Sequence, residues 1–191
     1  VAYYANEVTT YANSITLDKS TLSLYKGKSE TLTTTILAET TTDKTVTWTS
    51  SDLAVATVDN TGKVTAVDGG TSMITATCGT VSATCDVTVI VLAESVSLNK
   101  TSVTLKAGAS ETLVATVLPE NTTDKTVTWT SSDESVATVD ATGKITAVSK
   151  GTATITATCG TVSATCAVTV EYSDATDIIV TPGRGLDDIF K

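Results

Sequence analysis

The chain has 191 residues and a formal net charge of -9, with 12 Lys and Arg against 21 Asp and Glu. Nucleic acid and anionic lipid attract clustered basic residues, so this charge argues against both as partners. Histidine is absent, which removes the commonest general base and metal ligand and disfavours most enzyme mechanisms. No apolar run approaches the roughly 18 residues of a membrane helix, so we expect no membrane insertion.

Hydrophobic periodicity of two residues predicts short strands. Val46 and Trp48 alternate with Thr45, Thr47 and Thr49. Such segments, separated by turns, predict an all-β sandwich. The strands expected in chain order are Ser14–Leu17 with Leu22–Tyr25, Glu30–Leu37, Thr45–Thr49, Val55–Asp59, Lys63–Val67, Ser72–Cys78 and Ala83–Ile90.

Turn residues support this pairing of strands. Asp59-Asn60-Thr61-Gly62 has Asp at its start and Gly where a left-handed backbone is favoured. The same spacing recurs at Asp140-Ala141-Thr142-Gly143. Both segments are predicted to be hairpin turns.

The sequence repeats itself at an offset of 81 residues. Ser14 to Val89 aligns without a gap to Ser95 to Val170, and 52 of the 76 pairs are identical. A repeat of this length suits a complete small domain with its own core. We therefore expect two tandem β-sandwiches, 14–90 and 95–171, joined by a short linker at 91–94. The linker lacks Gly and Pro, which predicts a semi-rigid rod.

Each repeat contains one pair of cysteines, Cys78 with Cys85 and Cys159 with Cys166. In the first repeat both members fall on the buried face of their strands, so a hairpin could bring the sulfurs together in a cross-strand disulfide. The alternative is a pair of buried free thiols that pack as small hydrophobic groups. The disulfide is favoured, and it requires an oxidising environment.

Two other recurrent residue sets have structural interpretations. Trp48 and Trp129 lie on the apolar side of their strands, so they are expected to be core anchors and not exposed partner contacts. Equally spaced aspartates occur in both repeats and could suggest calcium sites, but each falls where Asp caps a turn. No metal or other cofactor is therefore expected. These aspartates are Asp43, Asp52, Asp59, Asp124, Asp133 and Asp140.

A family resemblance rests on two blocks at fixed distance, Trp48-Thr49-Ser50-Ser51-Asp52 and Val55-Ala56-Thr57-Val58-Asp59, followed by Thr61-Gly62-Lys63. Both repeats carry this pattern, which resembles the bacterial immunoglobulin-like domain, group 2. The resemblance implies a β-sandwich module of bacterial adhesins and cell-wall proteins, and of phage capsid, tail and fibre proteins. It implies no catalytic residues.

The two ends lie outside the family pattern. The extension 1–13 contains three tyrosines, and the tail 172–191 concentrates apolar residues. Such ends either fray or dock on a neighbouring subunit of an assembly. The docking candidates are Tyr3, Tyr4, Tyr11, Ile178, Ile179, Val180, Leu186, Ile189 and Phe190.

These features predict a non-enzymatic, extracellular structural or display module. The first hypothesis is a virion protein of a phage head, tail or fibre that contacts other subunits through its termini and binds surface glycans weakly. The second is a stalk or fibre segment of a bacterial surface adhesin. A carbohydrate-binding accessory module of an enzyme ranks last, because outside the terminal tyrosines only Tyr25 and Tyr172 could form an aromatic platform.

Overall fold

The computed structural model describes residues 12–37 and 43–172. Every regular element in these ranges is a β-strand, which confirms the all-β fold class. Contacts divide the chain into two compact units, Val1–Leu92 with Glu120–Asp124, and Ala93–Pro119 with Lys125–Lys191. The fold reaches into the predicted N-terminal extension, because Ala12 is buried beside Ile15. That the two units form a semi-rigid rod remains a prediction from the linker sequence.

Within the described residues, unit 1 has nine strands in three sheets. The four-stranded sheet has the order β2-β9-β8-β5, the three-stranded sheet β3-β7-β6, and β1 pairs with β4. The pairs are antiparallel except β2 with β9, which is parallel. The strands are β1 (Ser14–Leu17), β2 (Thr21–Tyr25), β3 (Ser29–Thr31), β4 (Thr34–Leu37), β5 (Thr47–Ser50), β6 (Ala56–Val58), β7 (Lys63–Ala66), β8 (Gly70–Cys78) and β9 (Val81–Ile90).

Unit 2 repeats this topology strand for strand. Its sheets have the orders β11-β18-β17-β14, β12-β16-β15 and β10-β13, again with one parallel pair, β11 with β18. The strands are β10 (Ser95–Leu98), β11 (Ser102–Lys106), β12 (Ser110–Thr112), β13 (Ala115–Leu118), β14 (Thr128–Ser131), β15 (Ala137–Val139), β16 (Lys144–Ala147), β17 (Gly151–Cys159) and β18 (Val162–Glu171).

Each unit has its own hydrophobic core because β-strands expose alternate residues to opposite faces. In β8, Ile74, Ala76 and Cys78 are buried, whereas Met73 between the buried positions is 44% exposed. Ile74 belongs to the central cluster of unit 1 together with Leu32 and Val64, whereas Ala76 and Cys78 belong to a second cluster of that unit. A matching cluster in unit 2 is built from residues at the equivalent positions, among them Leu113 and Ile145.

The single strand predicted at Glu30–Leu37 is wrong: two strands occupy it and belong to different sheets. β3 pairs with β7, whereas β4 pairs with β1. Between them the backbone amide of Thr33 donates to Asp18 Oδ1 at 2.8 Å, and the amide of Asp18 donates to Thr33 O at 3.0 Å. These bonds replace ladder pairing, so the chain changes sheets while Leu32 stays in the core.

A tryptophan–glycine contact connects two sheets in each unit. Trp48 lies on β5 of the four-stranded sheet, and Gly62 ends the turn that leads into β7 of the three-stranded sheet. Gly62 has a φ of 82°, a left-handed conformation that favours glycine. A methyl group there would lie 2.7 Å from Trp48 Cζ2 and 2.6 Å from Leu32 O. The indole therefore occupies the space that any side chain at Gly62 would need.

We predict that Gly62→Ala destabilises unit 1 far more than Gly27→Ala. Gly27 also has a positive φ, of 78°, but nothing lies within 4 Å of an added methyl group. The control variant, Gly27→Ala, should lose roughly 1–2 kcal/mol of unfolding free energy from backbone strain alone. Overpacking against Trp48 should add about 1–3 kcal/mol. Urea unfolding followed by tryptophan fluorescence measures both variants, and equal losses would contradict the contact.

Candidate functional site

One cavity of about 300 Å³ opens on the solvent side of the four-stranded sheet of unit 1. Its lining offers hydroxyl groups, one thioether and a single carboxylate, that of Asp86. It lacks the paired titratable groups that nucleophilic or acid–base catalysis requires. The lining residues are Ser51, Thr71, Ser72, Met73, Asp86, Val87 and Thr88.

A network of serine hydroxyl groups forms part of the cavity wall. Ser72 is only 4% exposed, and its Oγ lies 2.8 Å from Ser50 Oγ and 3.3 Å from Ser51 Oγ. Ser50 Oγ lies 2.6 Å from the carbonyl oxygen of Ala56 and donates to it, and the amide of Asp52 donates to Ser72 Oγ. These bonds satisfy the buried hydroxyl group of Ser72. Hydroxyl groups and a backbone amide lie around Ser72 Oγ, and none of these described partners is a general base.

Unit 2 lacks this network because Ala153 stands at the position equivalent to Ser72. Two serines remain: Ser131 lies 2.6 Å from the carbonyl oxygen of Ala137 and accepts from the amide of Asp133, and Ser132 accepts from the amide of Thr154. From Gly70 to Val89 the repeats differ at only three positions, 72, 73 and 86, and all three line the cavity. The differences between the two copies therefore indicate this site in the sequence, whereas strand periodicity gives no sign of it.

Four of the six recurrent aspartates, Asp52, Asp59, Asp133 and Asp140, directly precede turns and accept hydrogen bonds from turn residues, as the turn interpretation predicts. Asp59 Oδ1 accepts from the hydroxyl of Thr61 at 2.6 Å and from the backbone amides of Thr61 and Lys63. Asp140 repeats this arrangement with Thr142 and Lys144. In the described ranges, no group of three or more metal-ligating side chains is found.

These hydrogen bonds favour the ionised carboxylates. The Thr61 hydroxyl, followed by the nearby backbone amides, holds the pKa of Asp59 below its usual value. The Thr142 hydroxyl does the same to the pKa of Asp140. Hydrogen bonds also lower the pKa values of Asp18, Asp43, Asp68 and Asp133.

We predict that acid destabilises the fold through these aspartates. Their pKa values are lower in the folded than in the unfolded chain, so as the pH falls below about 4 the unfolded chain takes up protons first. Stability should be fully present near neutrality and decline as the pH falls. In Asp59→Asn with Asp140→Asn, amide oxygens still accept the turn hydrogen bonds but do not titrate. Urea midpoints measured against pH should decline less steeply in this variant, and identical slopes would refute the assignment.

The predicted cross-strand disulfides are wrong. None of the four cysteines is in a disulfide, and each is at most 1% exposed. Cys78 lies opposite Val81 and Cys85 opposite Ile74, so the two cysteines are four residues apart along the hairpin. That separation is about 13 Å at ~3.3 Å per residue, whereas a disulfide needs Cα atoms within about 7 Å. Cys159 and Cys166 have the same register.

The thiols are also poorly reactive in this setting. Burial raises the pKa values of Cys85 and Cys166, which disfavours the thiolate. They occupy the hydrophobic clusters of units 1 and 2 respectively. The alternative interpretation, thiols that pack as small hydrophobic groups, therefore describes them.

We predict that iodoacetamide modifies none of the four thiols in the native protein and all four in unreduced, denatured protein. Burial denies the reagent access, and unfolding removes that barrier. Intact mass spectrometry counts the adducts. Fewer than four adducts after denaturation would indicate an existing disulfide.

The other candidate residues are placed as follows. Trp48 and Trp129 are half-buried and pack against the cores of their own units. Tyr25 is 52% exposed, and the Lys150 ammonium group lies over the Tyr172 ring, 4.6 Å from the ring centroid.

The docking candidates Tyr3, Tyr4, Tyr11, Ile178, Ile179, Val180, Leu186, Ile189 and Phe190 lie outside the described residues. Across the described part of the chain, no helix is long and apolar enough to span a bilayer.

Comparison with known families gives one match in each half of the chain. The model of the bacterial Ig-like domain (group 2) matches residues 11–89 and 92–170. Among solved structures, titin domains I67–I69 share 14% identity with a TM-score of 0.51, covering 85% of this chain and 66% of that chain. This likeness shows the immunoglobulin-like fold alone.

Proteins similar in sequence to this chain come from bacteria and from a phage. An uncharacterized protein of Clostridium acetobutylicum is 41% identical over 149 residues, which are 76% of this chain and 15% of the relative. Ice-binding protein 1 of Shewanella frigidimarina is 34% identical over 72% of this chain and 16% of its own length. The Ig-like virion protein of Serratia phage KSP90 is 36% identical over 74% of this chain and 58% of its own length. The chain spans less than a fifth of the length of the first curated relatives it matches.

Proposed function

Because the chain belongs to the bacterial Ig-like domain (group 2) family, we propose that it is an extracellular display module of a phage virion, part of a head or tail decoration or a fibre. The fold is a structural, non-catalytic domain type. The observation that carries the virion assignment is the similarity to the Ig-like virion protein of Serratia phage KSP90, which extends over both repeats.

The fold supports a structural role because each unit closes its own core. The central clusters of the two units contain equivalent residues, and both units have the same sheet orders. A unit of this kind needs no partner to bury its hydrophobic residues. The proposed contacts with other virion subunits are therefore assigned to the terminal segments 1–11 and 173–191, with weak glycan binding as a further proposed contact.

A stalk segment of a bacterial surface adhesin or pilus-like filament is the second candidate function. It is favoured by the small share of the Clostridium acetobutylicum and Shewanella frigidimarina relatives that this pair of domains covers, 15% and 16%. A module that forms a small part of a long chain suits a spacer role. The two functions differ in what carries the module: a phage particle in the first and a bacterial surface protein in the second.

Immunogold electron microscopy with antibodies raised against residues 12–172 tests both candidates. Labelling of phage particles released from the strain that carries the gene is the expected result. Labelling confined to the cell envelope would favour the stalk, and labelling confined to the cell interior would refute both. Serum pre-adsorbed with the purified chain is the control.

Terminal docking is tested separately by light scattering on the full chain and on residues 12–172. The trimmed chain keeps Ala12, which belongs to the core of unit 1. We expect the full chain to self-associate, or to bind purified particles, and the trimmed chain to stay monomeric and unbound. Unchanged monomers with no particle binding in both samples would refute docking through the ends.

A further inference from the structure

The two cysteines of each long hairpin are close in sequence and far apart in the fold. Cys78 ends β8, a two-residue loop follows, and Cys85 lies within β9 opposite Ile74. In an unfolded chain only six residues separate the two thiols, and closing so short a loop costs little entropy. Cys159 and Cys166 repeat this spacing in unit 2.

We propose that each hairpin contains a cryptic oxidation site: a Cys78–Cys85 or Cys159–Cys166 disulfide forms only in the unfolded chain and then prevents that unit from folding. The oxidant class is a small-molecule disulfide such as oxidised glutathione. Folding and oxidation therefore exclude each other in each unit. This inference does not depend on the proposed virion or stalk function.

The register explains why the disulfide and the fold are incompatible. Bringing Cys85 opposite Cys78 requires β9 to slip by four residues along β8. Val87 would then lie opposite Ala76 instead of Ser72, and Val89 would lie opposite Ile74 instead of Gly70. The same slip breaks the parallel pairing of β9 with β2, in which Leu22 lies opposite Val87. Two ladders of the four-stranded sheet are lost together.

The slipped hairpin is nevertheless able to collapse. A shift by an even number of residues keeps every side chain on its original face, because the strand period is two. Apolar residues of β8 and β9 therefore still face inward, although their native partners change. We expect the oxidised unit to be compact and non-native and not a fully extended chain.

The native fold protects the same thiols. All four are at most 1% exposed, so a small-molecule disulfide does not reach them. Burial also raises the pKa values of Cys85 and Cys166, which reduces the thiolate population that attacks disulfides. Oxidation thus requires prior unfolding of the unit.

The chemistry balances through two exchange steps. In the unfolded chain the Cys78 thiolate attacks one sulfur of oxidised glutathione, breaking its S–S bond and releasing one glutathione thiolate. The Cys85 thiolate then attacks the Cys78 sulfur of the mixed disulfide and releases the second glutathione. Two cysteine thiols are oxidised, one small disulfide is reduced, and the two protons that the cysteines lose end on the two glutathione thiolates, so no proton is released overall.

The test compares refolding of reduced and oxidised chains. The full chain is unfolded in urea with or without oxidised glutathione, remaining thiols are alkylated in an aliquot for peptide mapping, and the rest is diluted to native conditions. We expect mapping to find the two within-hairpin disulfides, tryptophan fluorescence to stay non-native in the oxidised sample, and added reductant to restore it. The reduced sample should refold directly.

Two controls separate this mechanism from general damage. Cys78→Ala with Cys85→Ala should let unit 1 refold in oxidant while unit 2 still fails, and limited proteolysis distinguishes the units. Folded wild-type protein kept with oxidised glutathione should retain four free thiols. If the double variant does not fold, the reductant rescue of wild-type protein still decides the question.

Three results would overturn the proposal. One is recovery of native fluorescence and protease resistance by a chain whose mapped Cys78–Cys85 disulfide is intact. Another is an unfolded, oxidised chain in which every cysteine carries glutathione, because the second exchange step, which forms the within-hairpin disulfide, would then not occur. The third is formation of the same disulfides in protein that never unfolded.

Discussion

The contact between Trp48 and Gly62, with its copy between Trp129 and Gly143, is the constraint on which each sandwich depends. The indole of one sheet fills the space above a left-handed glycine of another, and an added methyl group would lie under 3 Å from the ring in both units. Few other aromatic side chains are available, since the chain has two tryptophans, one phenylalanine and five tyrosines, and the described Tyr25 and Tyr172 are exposed. The remaining cores consist of small β-branched and aliphatic residues, which pack well only if the sheets are held at one spacing.

Periodicity predicted the strands and their buried faces because these depend on local alternation. The hairpin turn at Asp59 to Gly62 was also predictable, and Val58 pairs with Val64 across it. Register was not predictable in the same way. Cys78 and Cys85 do share the buried side, but a period of two leaves slips of two or four residues undetected. The two-residue loop with Gly79 at a φ of 61° fixes the register, and it places the sulfurs far apart.

Two other features depended on contacts distant in sequence. The break between β3 and β4 arises because Asp18, 15 residues away, binds the backbone of Thr33. Periodicity continues through that break, so the sequence favoured one strand. The cavity of unit 1 is likewise formed by residues of β8, β9 and the segment after β5, and only the differences between the two copies indicated it.

The first and last strands of each four-stranded sheet have a mechanical consequence. β2 follows the entry of the chain into unit 1, β9 precedes its exit, and the two lie side by side in parallel from Thr21 with Asp86 to Tyr25 with Ile90. Tension on the two ends pulls these strands in opposite directions along their length. Their hydrogen bonds are then loaded in shear and must break together, whereas an antiparallel terminal pair would open one bond at a time. Each unit is thus built to resist stretching, and β11 with β18 gives unit 2 the same property.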